Sequence, residues 1–140
     1  MSIVGALLPE ARVLDLCAGS GALGIEAVSR GAASADLVEI SPSSLRAIEH
    51  NVELLGARDA IRVHRTDALR FIEGLEAGAY DVAFADPPYD LGMAPAIAER
   101  WLAVPFASVI GIEHRRDETL PAGGDTRRYG QTAITFFRRD

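Results

Sequence analysis

Asp86, Pro87, Pro88 and Tyr89 set a carboxylate, two rigid imides and an aromatic ring directly after the apolar-rich run Tyr80–Ala85. A proline has no N–H and a fixed φ, and it biases its predecessor away from helix. Two in a row make a stiff, extended corner whose carbonyls have fewer local donors, so one can point at a ligand. That corner, with an acid and a ring, suits a planar amine. The exocyclic N–H2 of a nucleobase is a poor nucleophile because its lone pair is delocalised into the ring. Hydrogen bonds to the Asp86 carboxylate and the Pro87 carbonyl would fix the nitrogen and aim that lone pair at an electrophile, which is catalysis by positioning and electrostatics. Tyr89 would stack on the base, worth roughly 1–3 kcal/mol, once the base has left its own stack. The alternative is a proline-rich turn carrying a helix-capping acid.

A second constellation lies earlier. Gly19, Gly21 and Gly24 have G-x-G-x-x-G spacing, between a strand and a helix as the motif requires. Glu39 ends the next strand, where an acid can accept both hydroxyls of a ribose. Asp67 ends the third strand, where it reaches an adenine or caps the following helix, or does both. Asp15 sits within the first strand and needs a partner; it holds the glycine loop or reaches a cofactor. These features fit an adenosine-containing cofactor without choosing between NAD and S-adenosylmethionine. The proline corner favours the second: hydride transfer has no use for a grip on an amine, whereas the methyl of a sulfonium does.

The elements that must position these groups alternate. Strands are expected at 11–18, 35–40, 60–65, 80–85 and 107–114. Helices are expected at 23–30, stopped by Gly31, and after the cap Ser41 with Pro42, carrying Leu45, Ile48, Val52 and Leu55 to Gly56. A third carries Leu69, Ile72 and Leu75 and ends near Gly78; a fourth covers Pro95–Ala103. Residues 126–139 read as a last extended pair bent near Gly130. Alternation of this kind gives an α/β, doubly wound, mostly parallel sheet with an antiparallel C-terminal strand pair. Ligands then bind outside the carboxyl ends of the strands.

The length of 140 residues fits one domain. No apolar run approaches the ~18 residues of a membrane span, and the N-terminus lacks the features of a signal peptide. A single cysteine, Cys17, excludes an internal disulfide and a cysteine-based zinc cluster, and no other ligand spacing indicates a metal. A cytoplasmic setting follows. The net charge of −6 counts against general nucleic-acid affinity. All 14 basic residues are arginine, however, and six form the pairs Arg115–Arg116, Arg127–Arg128 and Arg138–Arg139. A local basic face is possible, as are plain solvated arginines. His114 reads as a packing or edge residue.

The segments at 13–32, 38–56, 81–90 and 127–137 resemble the RsmD family of class I S-adenosylmethionine-dependent methyltransferases. That family methylates N2 of a guanine in 16S rRNA. The resemblance spans nearly the whole chain and implies a Rossmann-like fold. It implies that Asp15, Ala18, Gly19, Ser20 and Gly21 hold the methionine part of the cofactor. Glu39 would bind the ribose, Ile40 would lie against the adenine, and Asp67 with Ala68 would meet the adenine edge. Asp86, Pro87, Pro88 and Tyr89 would receive the guanine, presented in a small-subunit particle rather than on any membrane.

The family carries a stretch before the first strand, with an Arg-Pro-Thr signature and an amphipathic helix. This chain starts with "MSIVGALLPEARV", inside that helix. The expectation is a single methyltransferase domain over 1–140 lacking the N-terminal segment. A DNA adenine-N6 or other amino-methyltransferase, and a non-catalytic cofactor-binding domain, remain open at this point.

Overall fold

A computed structural model describes residues 7–89 and 91–139. Five parallel strands form its centre: β1 (Arg12–Leu16), β2 (Ser34–Glu39), β3 (Ile61–Arg65), β4 (Tyr80–Ala85) and β5 (Ala107–Arg115). Strands β6 (Asp125–Tyr129) and β7 (Thr132–Arg138) add an antiparallel edge, giving the order β3-β2-β1-β4-β5-β7-β6. Helices α1 (Ala22–Ser29) and α2 (Pro42–Leu54) cover one face, with Ile25, Ile48 and Val52 against Leu37 and Val13. Helices α3 (Ala68–Glu73) and α4 (Met93–Ala103) cover the other, with Ile72, Ile97 and Trp101 against Leu14, Ile110 and Phe137. A central strand covered on both faces has to be apolar along its whole length. β1 and β4 are buried at almost every position, while the edge strand β3 is mostly exposed.

The doubly wound α/β sheet expected from the alternation is present, and most elements lie within two residues of their expected bounds. Two local readings differ. Helix α3 stops at Glu73, with Gly74 as its C-cap, rather than running on towards Gly78. The Gly78 N–H instead donates to the Pro105 carbonyl at 3.0 Å, which ties the turn to the start of β5, and Leu75 still packs on the core. Ser41 occupies the N-cap of α2 without a side-chain capping bond. Its Oγ lies 3.1 Å from Ser43 Oγ, and its own N–H donates to Glu39. The expected start at residues 1–6 lies outside the described residues.

One buried acid in β2 is accounted for. Asp36 accepts from the Tyr80 hydroxyl at 2.6 Å and from Arg62 Nε at 3.2 Å, as a charge inside a sheet requires.

The strand order sets the site. The chain winds outward from β1 through β2 to β3, then returns beside β1 as β4 and winds the other way. The segments leaving β1 and β4 therefore go to opposite faces, and a crevice opens between them at the carboxyl ends. Gly24 lets α1 close on the sheet there: a Cβ at that position would lie 2.2 Å from Leu37 Cδ2, and Leu37 is fully buried. Gly24→Val should therefore lower the unfolding free energy by about 1–3 kcal/mol, measured by urea denaturation.

Candidate active site

The crevice is a cleft of about 700 Å³ at the carboxyl ends of β1, β2, β3, β4 and β5. Gly19, Glu39, Ile40, Asp67, Ala68 and all four residues of the proline corner line it. Asp15, Ala18, Ser20 and Gly21 are not part of the wall.

Those four residues belong to its frame. Asp15 is buried in β1, and its Oδ2 accepts from the Gly24 N–H at 3.3 Å. Gly24 is the third residue of α1, whose N-cap, Gly21, has no side chain to offer. The strand carboxylate thus supplies the acceptor that a Ser or Asp cap would otherwise give. Gly21 needs its left-handed backbone, φ +81°, to start the helix this way, and a Cβ there would press on Leu37 and Ile48. The Ser20 carbonyl accepts from Asn51 Nδ2 at 3.0 Å, and the Ala18 N–H donates to Val38. The loop is fixed from the side and from below.

Glu39 joins two loops. Its Oε1 accepts from the Gly19 N–H at 2.8 Å. Its Oε2 accepts from the N–H groups of Ile40 at 3.0 Å and Ser41 at 2.9 Å. Ile40 stands 62% exposed beside it, an apolar surface at the mouth of the cleft. Asp67 caps α3 through Arg70 N at 3.1 Å and also lines the cleft, so capping does not remove it from the site.

At the corner, Pro87 is buried while Asp86, Pro88 and Tyr89 are exposed. The Tyr89 hydroxyl lies 3.5 Å from Glu113 Oε2 and 3.4 Å from Thr132 Oγ1. The Arg115 guanidinium lies 5.3 Å from its ring centroid, a cation–π contact. One ring face is therefore braced by an arginine.

The lining also includes Cys17, Val38, Thr66, Leu91, Met93 and Glu113, which the motif reading did not select. Glu113 was legible: it stands near the carboxyl end of a parallel strand, the place that drew attention to Glu39 and Asp67. Leu91 and Met93 have no comparable sequence signal. His114 is buried, with Nε2 2.7 Å from Thr135 Oγ1 and Nδ1 2.8 Å from the Arg115 carbonyl, and it packs away from the cleft.

The charge of the site is lopsided. Glu39, Asp67, Asp86 and Glu113 line it, Asp15 stands behind it, and no arginine is among the lining residues described. Burial raises Asp15 to about 7, partly opposed by the Gly24 N–H and aided by Asp86 and Glu39. Burial, then the neighbouring Asp86 carboxyl, raises Glu113 to about 7. Burial with the surrounding acids pushes the Cys17 thiol up to about 12. Among the described residues there is no cluster of His, Cys, Asp and Glu able to hold a metal, and no helix long and apolar enough to cross a membrane.

The family described as "Conserved hypothetical protein 95" matches residues 1–138. The chain is 31% identical over 145 residues to "Ribosomal RNA small subunit methyltransferase D" of Escherichia coli, covering 96% of this chain and 71% of that protein. It is 37% identical over 86 residues to the protein of the same name from Buchnera aphidicola, covering 61% of this chain and 44% of the relative, so it spans less than half of that protein. A solved structure of a conserved hypothetical protein from Streptococcus pyogenes is 30% identical and superposes with a TM-score of 0.82, covering 99% of this chain and 94% of that one.

Asp15 gives a pH signature. The folded chain keeps this proton up to about 7, against 3.8 for the ordinary carboxyl. The stability it contributes is therefore complete below about 4 and is lost as pH rises through about 7. Urea midpoints should fall between pH 5 and pH 8, and fall less in Asp15→Asn; equal slopes would mean Asp15 does not carry the effect.

Proposed function

The chain belongs to the conserved hypothetical protein 95 family, and on that footing we propose that it methylates the exocyclic N2 amine of a guanine in 16S rRNA, with S-adenosylmethionine as donor. The observation that carries this reading is the charge of the cleft. Four carboxyl side chains line it, without an arginine among the lining residues described. A dinucleotide would bring a pyrophosphate dianion to the start of α1, where such groups settle on free N–H groups. Here the Asp15 carboxyl already occupies the Gly24 N–H. An acidic wall repels a pyrophosphate and favours a ligand carrying a sulfonium and an ammonium.

The residues fit that ligand. Gly19 allows close approach of the loop. Glu39 Oε1 takes one N–H and keeps acceptor capacity for a ribose hydroxyl. Ile40 offers apolar surface and Asp67 an acceptor for the adenine. S-adenosylmethionine supplies an electrophilic methyl: the N2 lone pair forms the new N–C bond, the C–S bond breaks with its electron pair left on sulfur, and the nitrogen then releases one proton to water.

The protein's share is positioning. The Asp86 carboxylate and the Pro87 carbonyl accept the two amine hydrogens and aim the lone pair. The prolines keep these acceptors from moving. Tyr89, braced by Arg115 and Thr132, offers its remaining face to the base. No strong base is needed, which agrees with His114 lying outside the cleft. The names of the curated relatives support ribosomal RNA as the substrate class. A small-subunit particle in the cytoplasm is the corresponding setting.

Calorimetric titration with S-adenosylhomocysteine tests the cofactor half. Glu39→Ala should weaken binding about tenfold or more, while Asp86→Ala should bind nearly as the parent does. Methyl transfer to unmodified 16S rRNA and to small-subunit particles should then fall at least about a hundredfold in Asp86→Ala. Unchanged affinity in Glu39→Ala, or unchanged transfer in Asp86→Ala, removes the corresponding assignment.

A further inference from the structure

Glu113 is the carboxyl of the cleft lining that the chemistry above leaves without a task. It lies near the end of β5, and the pairing of Ala85 with Ile112 sets Asp86 and Glu113 each one residue beyond that pair. Both line the cleft, as neighbours across that strand pair. Glu113 Oε2 is also 3.5 Å from the hydroxyl of Tyr89, whose ring is the stacking surface. Acceptors from β4 and β5 therefore stand side by side next to the place where the ring of a base would lie.

We propose that Glu113 selects the base: its carboxylate accepts the N1–H of the guanine whose amine is held by Asp86 and the Pro87 carbonyl. This rests on the guanine-N2 reading of the cleft. Guanine presents three N–H donors in a row, N1–H and the two hydrogens of N2. Adenine and cytosine each set a ring-nitrogen lone pair beside their amine, and that lone pair would face the Glu113 carboxylate. Discrimination then comes from one unpaired acceptor facing another, a mismatch that costs binding.

The empty pair supports this assignment. Burial raises Glu113, and the neighbouring Asp86 carboxyl adds to the effect, because adjacent carboxyls disfavour double ionisation. Three donors arriving together satisfy both charged groups at once. Two donors and a lone pair do not.

The test uses a base that separates N1–H from the amine. The methylated nucleotide is first mapped in unmodified 16S rRNA treated with this chain. A synthetic RNA carrying that nucleotide is then remade with 2,6-diaminopurine there, which keeps the 2-amino group but has a lone pair at N1. The parent chain should transfer to guanine about tenfold or more faster than to diaminopurine. Glu113→Gln, whose amide can donate to N1, should lose transfer to guanine and narrow or reverse that ratio, with S-adenosylhomocysteine affinity unchanged. Equal transfer to both bases by the parent overturns the proposal and needs no variant to do so. A Glu113→Gln chain that keeps the parental ratio also overturns it, leaving the guanine reading standing. Methyl found on any atom other than guanine N2 overturns both.

Discussion

A single carboxylate ties the cofactor side of the cleft together. Glu39 accepts from three backbone N–H groups, one on the glycine loop after β1 and two in the turn after β2. Charge-assisted bonds of this kind are among the stronger ones a protein makes. They hold Gly19 in its left-handed conformation, φ +59°, and set where Ile40 stands. The Ala18 N–H bond to the Val38 carbonyl ties the same loop to β2. The acid that lines the cleft is thus also its clasp, so a change at Glu39 alters the geometry of both loops.

Topology separates the charges of the sheet's two ends. The acids collect where β1 to β5 end. Arg115 and Arg116 lie at the same end, and β6 brings Arg127 and Arg128 alongside through its pairing with Ile134 and Ala133. Because β7 runs antiparallel, Arg138 pairs with Val109 near the start of β5, so the Arg138–Arg139 pair is carried to the opposite end of the sheet. Of the three arginine pairs, two therefore stand toward the carboxyl end of β5. Phosphate contacts there would orient a nucleic acid without reading it, leaving base discrimination to the acids. The net charge of −6 hides this division, because it sums over both ends.

Much of this was legible from periodicity and punctuation. Parallel strands buried on both faces read as apolar runs, and the glycine spacing lies where its context requires. What escaped is instructive. Ser41 does stand at the N-cap with Pro42 after it, yet its hydroxyl lies against Ser43 and makes no capping bond, a competition that local sequence does not display. Helix α3 carried its apolar spacing past Gly74, but the tie from Gly78 to Pro105 ended it sooner. Asp15 was seen as needing a partner; that the partner is the first turn of α1 depends on a cap position, Gly21, without a side chain. Glu113 was passed over because it belongs to no short motif. Its significance arises only when β5 pairs with β4 and sets it beside Asp86.

The same field that favours a cation also protects the pocket from it. Cys17 lines the cleft in a left-handed turn, φ +58°, and a thiolate there would compete with the substrate amine for an electrophilic methyl. A thiolate is the nucleophilic form of cysteine, and its population follows the thiol's acidity. Burial, together with Glu39, Asp15, Asp86 and Asp67, pushes this thiol up to about 12. At neutral pH it stays protonated and inert. The acids that line the cleft therefore suppress the one thiol of the chain.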